Sequence, residues 1–456
     1  MTIAKISMDR KNLSVGKKNY IADFPELIDL VSNDSSIKFL TTEGIKDQVI
    51  IKEKTFYPPP LEALDWVLPA YSKVLEETGK HDPSDPSDAE TRGTPCRYCQ
   101  SLYAEIIKYF QRFCEPPTPY HYHFLALYAF HTYLIERFTH SPILFLMGAK
   151  TRGKTPTLEA MTYIARRGSA QLSFREADFL RLANDSRASV FFTELRNFRK
   201  TLEKGDNFDL LYARAKRGVN TSRVHDPGKG AFKERTIYKN LFGPTGATSN
   251  YMIDDITEAR CVVFPMPFSD KVFEKPLIDF GLPLREKLTA FRAAHLHKPF
   301  KKIKSKRAGK TEDYLKEFYE MVITHFPNQE ENFNIFRSQI DQEKSEEAEN
   351  SLEVKILRAI ENCESVVQNA FLSTNTITQQ LNIGLKEQFQ FTPDFIGRQL
   401  KAMGFSKKST GKEKGIVYNT LFLEKLFKYY GIEKNIETLN VQEVEDIFPP
   451  IGGGIV

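Results

Sequence analysis

The stretch FLMGAKTRGKTPTLEAM, residues 145–161, passes from an apolar run through a glycine-flanked loop into a helical pattern. Within it, GAKTRGKT fits GxxxxGK plus a hydroxyl residue at every fixed position. These are Gly148, Gly153, Lys154 and Thr155, with Ala149, Lys150, Thr151 and Arg152 between the glycines. The spacing suits a phosphate grip, because glycines let backbone amides turn toward an anion. The lysine ammonium then reaches the outer phosphate oxygens, and the threonine hydroxyl coordinates Mg²⁺. The preceding ILFLM suits a buried strand, and TPTLEAMTYIARR suits a helix whose N-terminus faces the anion, with Pro156 tolerated in its first turn. The expectation is ATP with Mg²⁺ held over residues 148–155, against a plain glycine turn carrying a surface lysine.

Outward from this loop, apolar residues recur at helical spacing in LYAEIIKYFQRF and HFLALYAFHTYLIERF, so two helices lead into it. Between 141 and 270 the strand candidates PILFLMG, ASVFFTEL, IYKNLFG and ARCVVFPMPF alternate with helical stretches, which implies an α/β domain on a parallel sheet. The organisation read from pattern and punctuation is an N-terminal accessory region with a small α+β character (1–80), a Pro/Asp-rich linker (81–95) and a helical segment (96–140). An α/β core (141–300), a basic then acidic helical linker (301–352), a patterned C-terminal domain (353–432) and a weakly ordered tail (433–456) follow.

Hydrolysis needs a carboxylate beside the phosphate grip. SVFFTELRNF offers an apolar strand ending in Glu194, placed to polarise water or to hold the metal. The residue before it is Thr193, which has no charge for the metal's water shell, so Mg²⁺ falls to Thr155 and the nucleotide's own oxygens, or to Glu194. In NLFGPTGATSN the strand end carries Asn250, with Thr248 as the alternative, as a sensor of the outer phosphate. Arg260, just ahead of CVVFP, can neutralise charge on a transferred phosphate when supplied across a subunit boundary.

A net charge of +5 on 456 residues is mild, so a nucleic-acid reading rests on where the cations cluster. The N-terminal stretch has no signal-like apolar run, and no segment approaches the roughly 18 apolar residues of a membrane span. Five cysteines, an odd number and mostly isolated, point to a reducing, cytoplasmic compartment rather than a disulfide framework.

The order helices, GAKTRGKT, VFFTEL, basic segment, GPTGATSN, ITEARCVVFPMPF resembles AAA+ helicase-type ATPases, superfamily-three-like, of phages, plasmids and genomic islands. The likeness covers about residues 100–270. It implies a P-loop NTPase core of AAA+ type, self-assembly into a ring, commonly a hexamer, and Arg260 reaching a neighbour's nucleotide. Thr193 in place of an aspartate departs from the pattern and puts full hydrolysis in question. Before the sensor strand lies RAKRGVNTSRVHDPGKGAFKERTIYK, a Pro-Gly turn signal inside a basic stretch, read as a hairpin tipped by Lys229. In the resembled ring helicases such a hairpin enters the pore, where Lys229, Lys233 and Arg223 would track phosphates of single-stranded or forked DNA.

The C-terminal pattern is independent of the core. LEVKILRAIEN, TNTITQQLN and TPDFIGRQLKAMGF read as three helices, the last with Thr392 as N-cap and Pro393 at its first position. SKKSTGKEKGIVYN then reads as a basic hairpin. That is a winged-helix layout, with Arg398, Lys401, Lys407, Lys408, Lys412 and Lys414 as phosphate contacts. The single CxxC of Cys96 and Cys99, with Cys114, His121 and His123 nearby, lacks a second pair at zinc spacing. Tyr120, Phe124, Tyr128 and Phe130 read as helix-packing core. Three functions stay open: an ATP-driven DNA motor serving replication of a mobile element, a nucleotide switch acting as loader or defence component, and a DNA-binding scaffold without turnover.

Overall fold

The computed structural model describes residues 19–20, 24–34, 36–59, 67–80, 96–172, 175–193, 207–224, 236–250, 255–304, 310–386, 390–411 and 413–430. The chain divides into two units, Met1–Arg337 and Ser338–Val456, with the division inside one helix, Glu330–Asn350.

In the first unit, β1 (Asn19–Tyr20), β2 (Leu27–Asn33), β3 (Ser36–Thr41), β4 (Gly44–Lys46), β5 (Val49–Ile51) and β6 (Lys54–Tyr57) make two small sheets, ordered β1-β6-β5 and β2-β3-β4. The helices α1 (Tyr71–Gly79), α2 (Arg97–Gln111) and α3 (Pro119–Tyr133) follow. The two helices expected ahead of the glycine loop are α2 and α3. Leu27, Leu30 and Phe39 from the first strands are buried in the same apolar cluster as Ile143, Phe145, Val190 and Ala247.

The larger sheet is built from β7 (Ile143–Met147), β8 (Gly168–Gln171), β9 (Ser189–Phe192), β12 (Thr245–Ser249) and β13 (Cys261–Pro265), all parallel, in the order β13-β7-β12-β9-β8. A strand covered on both faces needs an unbroken apolar run, which ILFLM and SVFF supply, and both are almost wholly buried. After β7 the chain forms α4 (Lys154–Ile164) and crosses to β8 at the far edge. It returns inward through β9 and β12, and then passes β7 to reach β13. The chain therefore leaves the carboxyl ends of β7 and β12, which are neighbours, in opposite directions. In open parallel sheets that divergence opens the crevice where ligands bind.

Between β9 and β12 stand α5 (Asn207–Ala215) and an antiparallel pair, β10 (Asn220–Val224) with β11 (Thr236–Asn240), in register from Asn220↔Asn240 to Val224↔Thr236. The segment IYKNLFG was read above as a strand of the parallel sheet. It is instead one arm of this hairpin, because its partner is the segment just before it. The helices α6 (Ile278–His295), α7 (Lys310–His325) and α8 (Glu330–Asn350) follow β13. Phe124, Tyr128 and Phe130 of α3 are wholly buried, with Phe124 stacked at 4.8 Å on Phe336 and Phe130 packed at 4.7 Å on Phe291. Tyr120 is half-buried. The stripe is helix-packing core.

In the second unit α9 (Leu352–Asn362), α10 (Thr374–Asn382) and α11 (Pro393–Ala402) surround a core of Ile356, Leu357, Ile377, Ile396 and Leu400. Ser351, Ser373 and Thr392 cap the three helices, each side chain accepting a backbone N–H of the first turn. β14 (Phe371–Ser373), β15 (Lys407–Thr410) and β16 (Glu413–Val417) form an antiparallel sheet in the order β14-β16-β15, and α12 (Thr420–Tyr430) closes the unit.

A buried ion network ties the first strands to the core. Asp29 on β2 accepts from Arg167 Nε at 2.7 Å and from its neighbour Leu30 N–H at 2.9 Å, and Arg166 stands 3.5 Å away. Glu136 accepts from Arg166 at 3.1 Å and from Arg292 at 2.6 and 2.9 Å, while Arg292 also donates to Leu27 O at 3.1 Å. Burial pushes the Asp29 carboxyl up, but Arg167, then Arg166 and Arg292, outweigh it and hold it below its ordinary value. The ionised form is the folded form's choice, so its stabilisation is complete above the ordinary carboxylate range and is lost as pH falls through the lowered value. Asp29→Asn leaves buried guanidinium charge without its partner, and urea denaturation at neutral pH should show a loss of about 3–5 kcal/mol. Between neutrality and the most acid pH at which both fold, that gap should narrow.

Candidate functional site

The loop after β7 is shaped by three residues in the left-handed region: Gly148 (φ 148°), Thr151 (φ 64°) and Gly153 (φ 73°). At Gly148 a Cβ would meet Met266 O at 3.0 Å, so a side chain there is opposed both by the backbone angle and by its neighbour. Thr151 is β-branched and costs strain at that angle, on the order of 1 kcal/mol. Gly153 is the residue before α4, whose first amides have no carbonyl partner inside the helix. The loop thus presents free N–H groups at the positive end of a helix.

Lys154 is 8% exposed, and its ammonium folds back on the loop, donating to Gly148 O at 2.7 Å and Ala149 O at 2.5 Å. Burial, then the neighbouring Arg152 charge, lower its pKa. Thr155 donates to Thr193 O at 3.3 Å, and Thr248 donates to the same oxygen at 2.9 Å. The ends of β7, β9 and β12 are brought together by register, Met147 opposite Ser249 and Phe192 opposite Ala247. A cleft of about 520 Å³ opens beside the loop, walled by Arg152, Lys154 and Thr155 on one side and by Phe113, Phe273 and Lys275 on the other.

The second wall was not read from the sequence. It is the segment 267–276 after β13, pinned to the end of α2. Arg112 bridges to Glu274 at 2.7 Å, and Glu115 takes up both Lys271 and Ser269. Alternating charges and aromatics in PFSDKVFEKP give no periodic signal, so only the pairing of distant residues exposes its place.

Of the other sequence-derived residues, Thr248 is buried against Thr193 whereas Asn250 is exposed, one position past β12. Arg260 lies at the amino end of β13, where its carbonyl accepts from Ile143 N–H at 2.9 Å and its guanidinium stands 4.0 Å over the Tyr212 ring. Five residues of strand, about 16 Å at 3.3 Å each, separate it from the loop of its own chain. The backbone of Arg223 is on β10 opposite Ile237. Arg398, Lys401, Lys407 and Lys414 are exposed on α11, β15 and β16, while Lys408 donates to Asn369 O at 2.9 Å. Glu194, Lys229, Lys233 and Lys412 lie outside the described residues. No described helix is long and apolar enough to cross a membrane.

No family model and no curated protein matches the chain. Solved structures do. One is titled "SCCmec type IV Cch - active helicase", at 13% identity and a TM-score of 0.33, covering 87% of this chain and 80% of that one. Another is the apo A form of the NrS-1 C-terminal region (305–718), at 11% identity and a TM-score of 0.31, covering 85% and 84%. A second apo A form of the NrS-1 C-terminal region gives 12% and 0.35, covering 82% and 83%. At these TM-scores the likenesses carry no weight for function.

Thr193 O is a shared acceptor in a buried place. Thr248→Val and Thr155→Val should each cost about 0.5–1.5 kcal/mol in thermal or urea unfolding, and the double variant should cost more than their sum, since the carbonyl then loses both donors. Strict additivity would mean the two hydroxyls do not share it.

Proposed function

We propose that the chain binds ATP with Mg²⁺ over residues 148–155, as a P-loop NTPase of AAA+ type. The observation that carries this reading is the place of the loop. Two left-handed glycines and a convergent lysine stand at the one crevice the strand order creates, between β7 and β12. In this reading Lys154 would exchange its two loop carbonyls for phosphate oxygens, the first α4 amides would hold the phosphates, and Thr155, now bonded to Thr193 O, would be a ligand for the metal. Glu194, next in sequence to the buried Thr193, is the assigned activator of water, and Asn250, with Thr248 as the alternative, is the assigned sensor; Thr248 donates to Thr193 O at 2.9 Å.

The work done is the movement of DNA by a ring of subunits, most commonly a hexamer, each contributing Arg260 to the next nucleotide. Support comes from the β10–β11 arms, which carry the basic stretch directly before β12. The second unit adds to it, with three capped helices and a basic antiparallel hairpin in winged-helix order and exposed Arg398 and Lys401 one helical turn apart. Replication of a mobile element is the setting the resemblance implies. Thr193 favours a second reading, a nucleotide switch with slow turnover.

Lys154→Ala should slow DNA-stimulated ATP turnover by about 10²–10³-fold, the scale of a lost charge-stabilising donor. Arg260→Ala should retain nucleotide binding, lose turnover, and regain part of it when mixed with Lys154→Ala subunits. A parent protein that assembles on ATP without DNA-stimulated turnover decides for the switch. One that binds no labelled ATP ends the nucleotide reading.

A further inference from the structure

Cys96 and Cys99 have no zinc-spaced partners in sequence, and Cys114, His121 and His123 are engaged elsewhere. The Cys114 thiol donates to Phe110 O at 3.5 Å, His121 pairs with Thr118, and His123 pairs with Tyr103. In space other partners arrive. Cys99 Sγ lies 3.4 Å from His295 Nε2, a residue 196 positions later. The Cys96 and Cys99 thiols hydrogen-bond to each other. The His325 ring stands at 4.8 Å from the His295 ring, inclined by 75°. His325 Nε2 is buried with no hydrogen-bond partner among the described residues. Cys99, His295 and His325 are 1%, 7% and 5% exposed, and Cys96 is half-buried.

We propose that Cys96, Cys99, His295 and His325 are the four ligands of a structural zinc site. With Zn–S about 2.3 Å and Zn–N about 2.0–2.1 Å, a tetrahedral centre sets sulfur and nitrogen about 3.5 Å apart, which is the Cys99–His295 edge already present. Two rings that aim nitrogens at one ion come close at a steep angle, as these two do. As they stand, no three His, Cys, Asp or Glu side chains among the described residues are gathered closely enough to hold a metal ion, so these four must draw together on binding. What the fold supplies is four convergent donors of the right softness, one of them a buried imidazole nitrogen left unpaired.

The protonation states are consistent with this. Burial holds His325 neutral, down to about 4, as a ligand must be. The hydrogen bond that the Cys99 thiol donates to Cys96, then burial, push the Cys99 thiol far up, so that sulfur is a thiol without metal. Zinc takes cysteine as thiolate, so binding displaces the Cys99 proton, and two thiolates with one Zn²⁺ leave no net charge in the buried cluster. Cys96 is the N-cap of α2, Cys99 lies in its first turn, and His295 and His325 are the last residues of α6 and α7. The ion would fasten one helix start to two helix ends.

The test is metal analysis of the purified full chain under reducing conditions. One zinc per chain should survive dialysis, and Co²⁺ in its place should give a sulfur-to-cobalt charge-transfer band. Cys96→Ser and His325→Gln should each lose the zinc, whereas Cys114→Ser, a buried thiol outside the cluster, should keep it. The cobalt spectrum of the parent protects the proposal from variants that fail to fold. A parent chain that takes up neither Zn²⁺ nor Co²⁺, or zinc kept by both ligand variants, overturns it. The site makes no use of the ATP reading, so either can fail alone.

Discussion

A single buried guanidinium ties together the starts of two neighbouring inner strands, β9 and β12. Arg214, at the end of α5, is wholly buried and has no carboxylate partner among the described residues. It donates to Ala188 O at 2.9 Å, Leu241 O at 2.8 Å, Thr245 Oγ1 at 2.8 Å and also to Pro244 O. Burying a cation without water is costly unless each N–H finds an acceptor, and hydrogen bonds to a charged group contribute about 1.5–3 kcal/mol each. Ala188 leads into β9, and Pro244 and Thr245 lead into β12, so one side chain locks both amino ends. Strands are stiff. Fixing where β9 and β12 begin fixes where they end, and their ends carry Thr193 and Thr248.

The two ends of the sheet are consequently different materials. At the amino ends Arg214, with the Asp29–Arg166–Arg167 cluster beside β8, leaves buried polar groups in one arrangement only. At the carboxyl ends the backbone is left-handed at Gly148, Thr151 and Gly153, and Lys154 donates to two carbonyls of its own loop. The positive-φ backbone thus lies at one end of the sheet and the buried, fully bonded charges at the other.

The sequence reading followed this division unevenly. ILFLM, the glycine loop and α4 were legible because a doubly buried strand, a fixed residue spacing and a helical period are all local. So were the β15–β16 hairpin and the Thr392 cap. β8 was not: GSAQ has neither an apolar run nor an alternation, and it is a strand only because β9 pairs with it. The place of Leu27, Leu30 and Phe39 in the main core was invisible for the same reason, since the residues that cover them lie far along the chain. Charge counting misled most directly. Arg214 opens the stretch read as a basic, phosphate-tracking hairpin, yet it is buried at the end of α5, and Arg166 and Arg167 are buried too. Composition records charge but not the carbonyls and carboxylates that allow it inside.

Strand order also decides what one chain can do alone. Because all five strands of the large sheet are parallel, everything placed before a strand lies at the end opposite the phosphate loop, and Arg260 is placed before β13. β13 is an edge strand, so nothing in the sheet stands beyond it. No side-chain rotation carries a guanidinium across the length of β7, and a shift of the strand would break its pairing with Ile143 through Met147. Arg260 is held, with its guanidinium over Tyr212, at the end of the sheet away from the glycine loop of its own chain. The separation of Arg260 from the glycine loop of its own chain therefore follows from the direction of the strands.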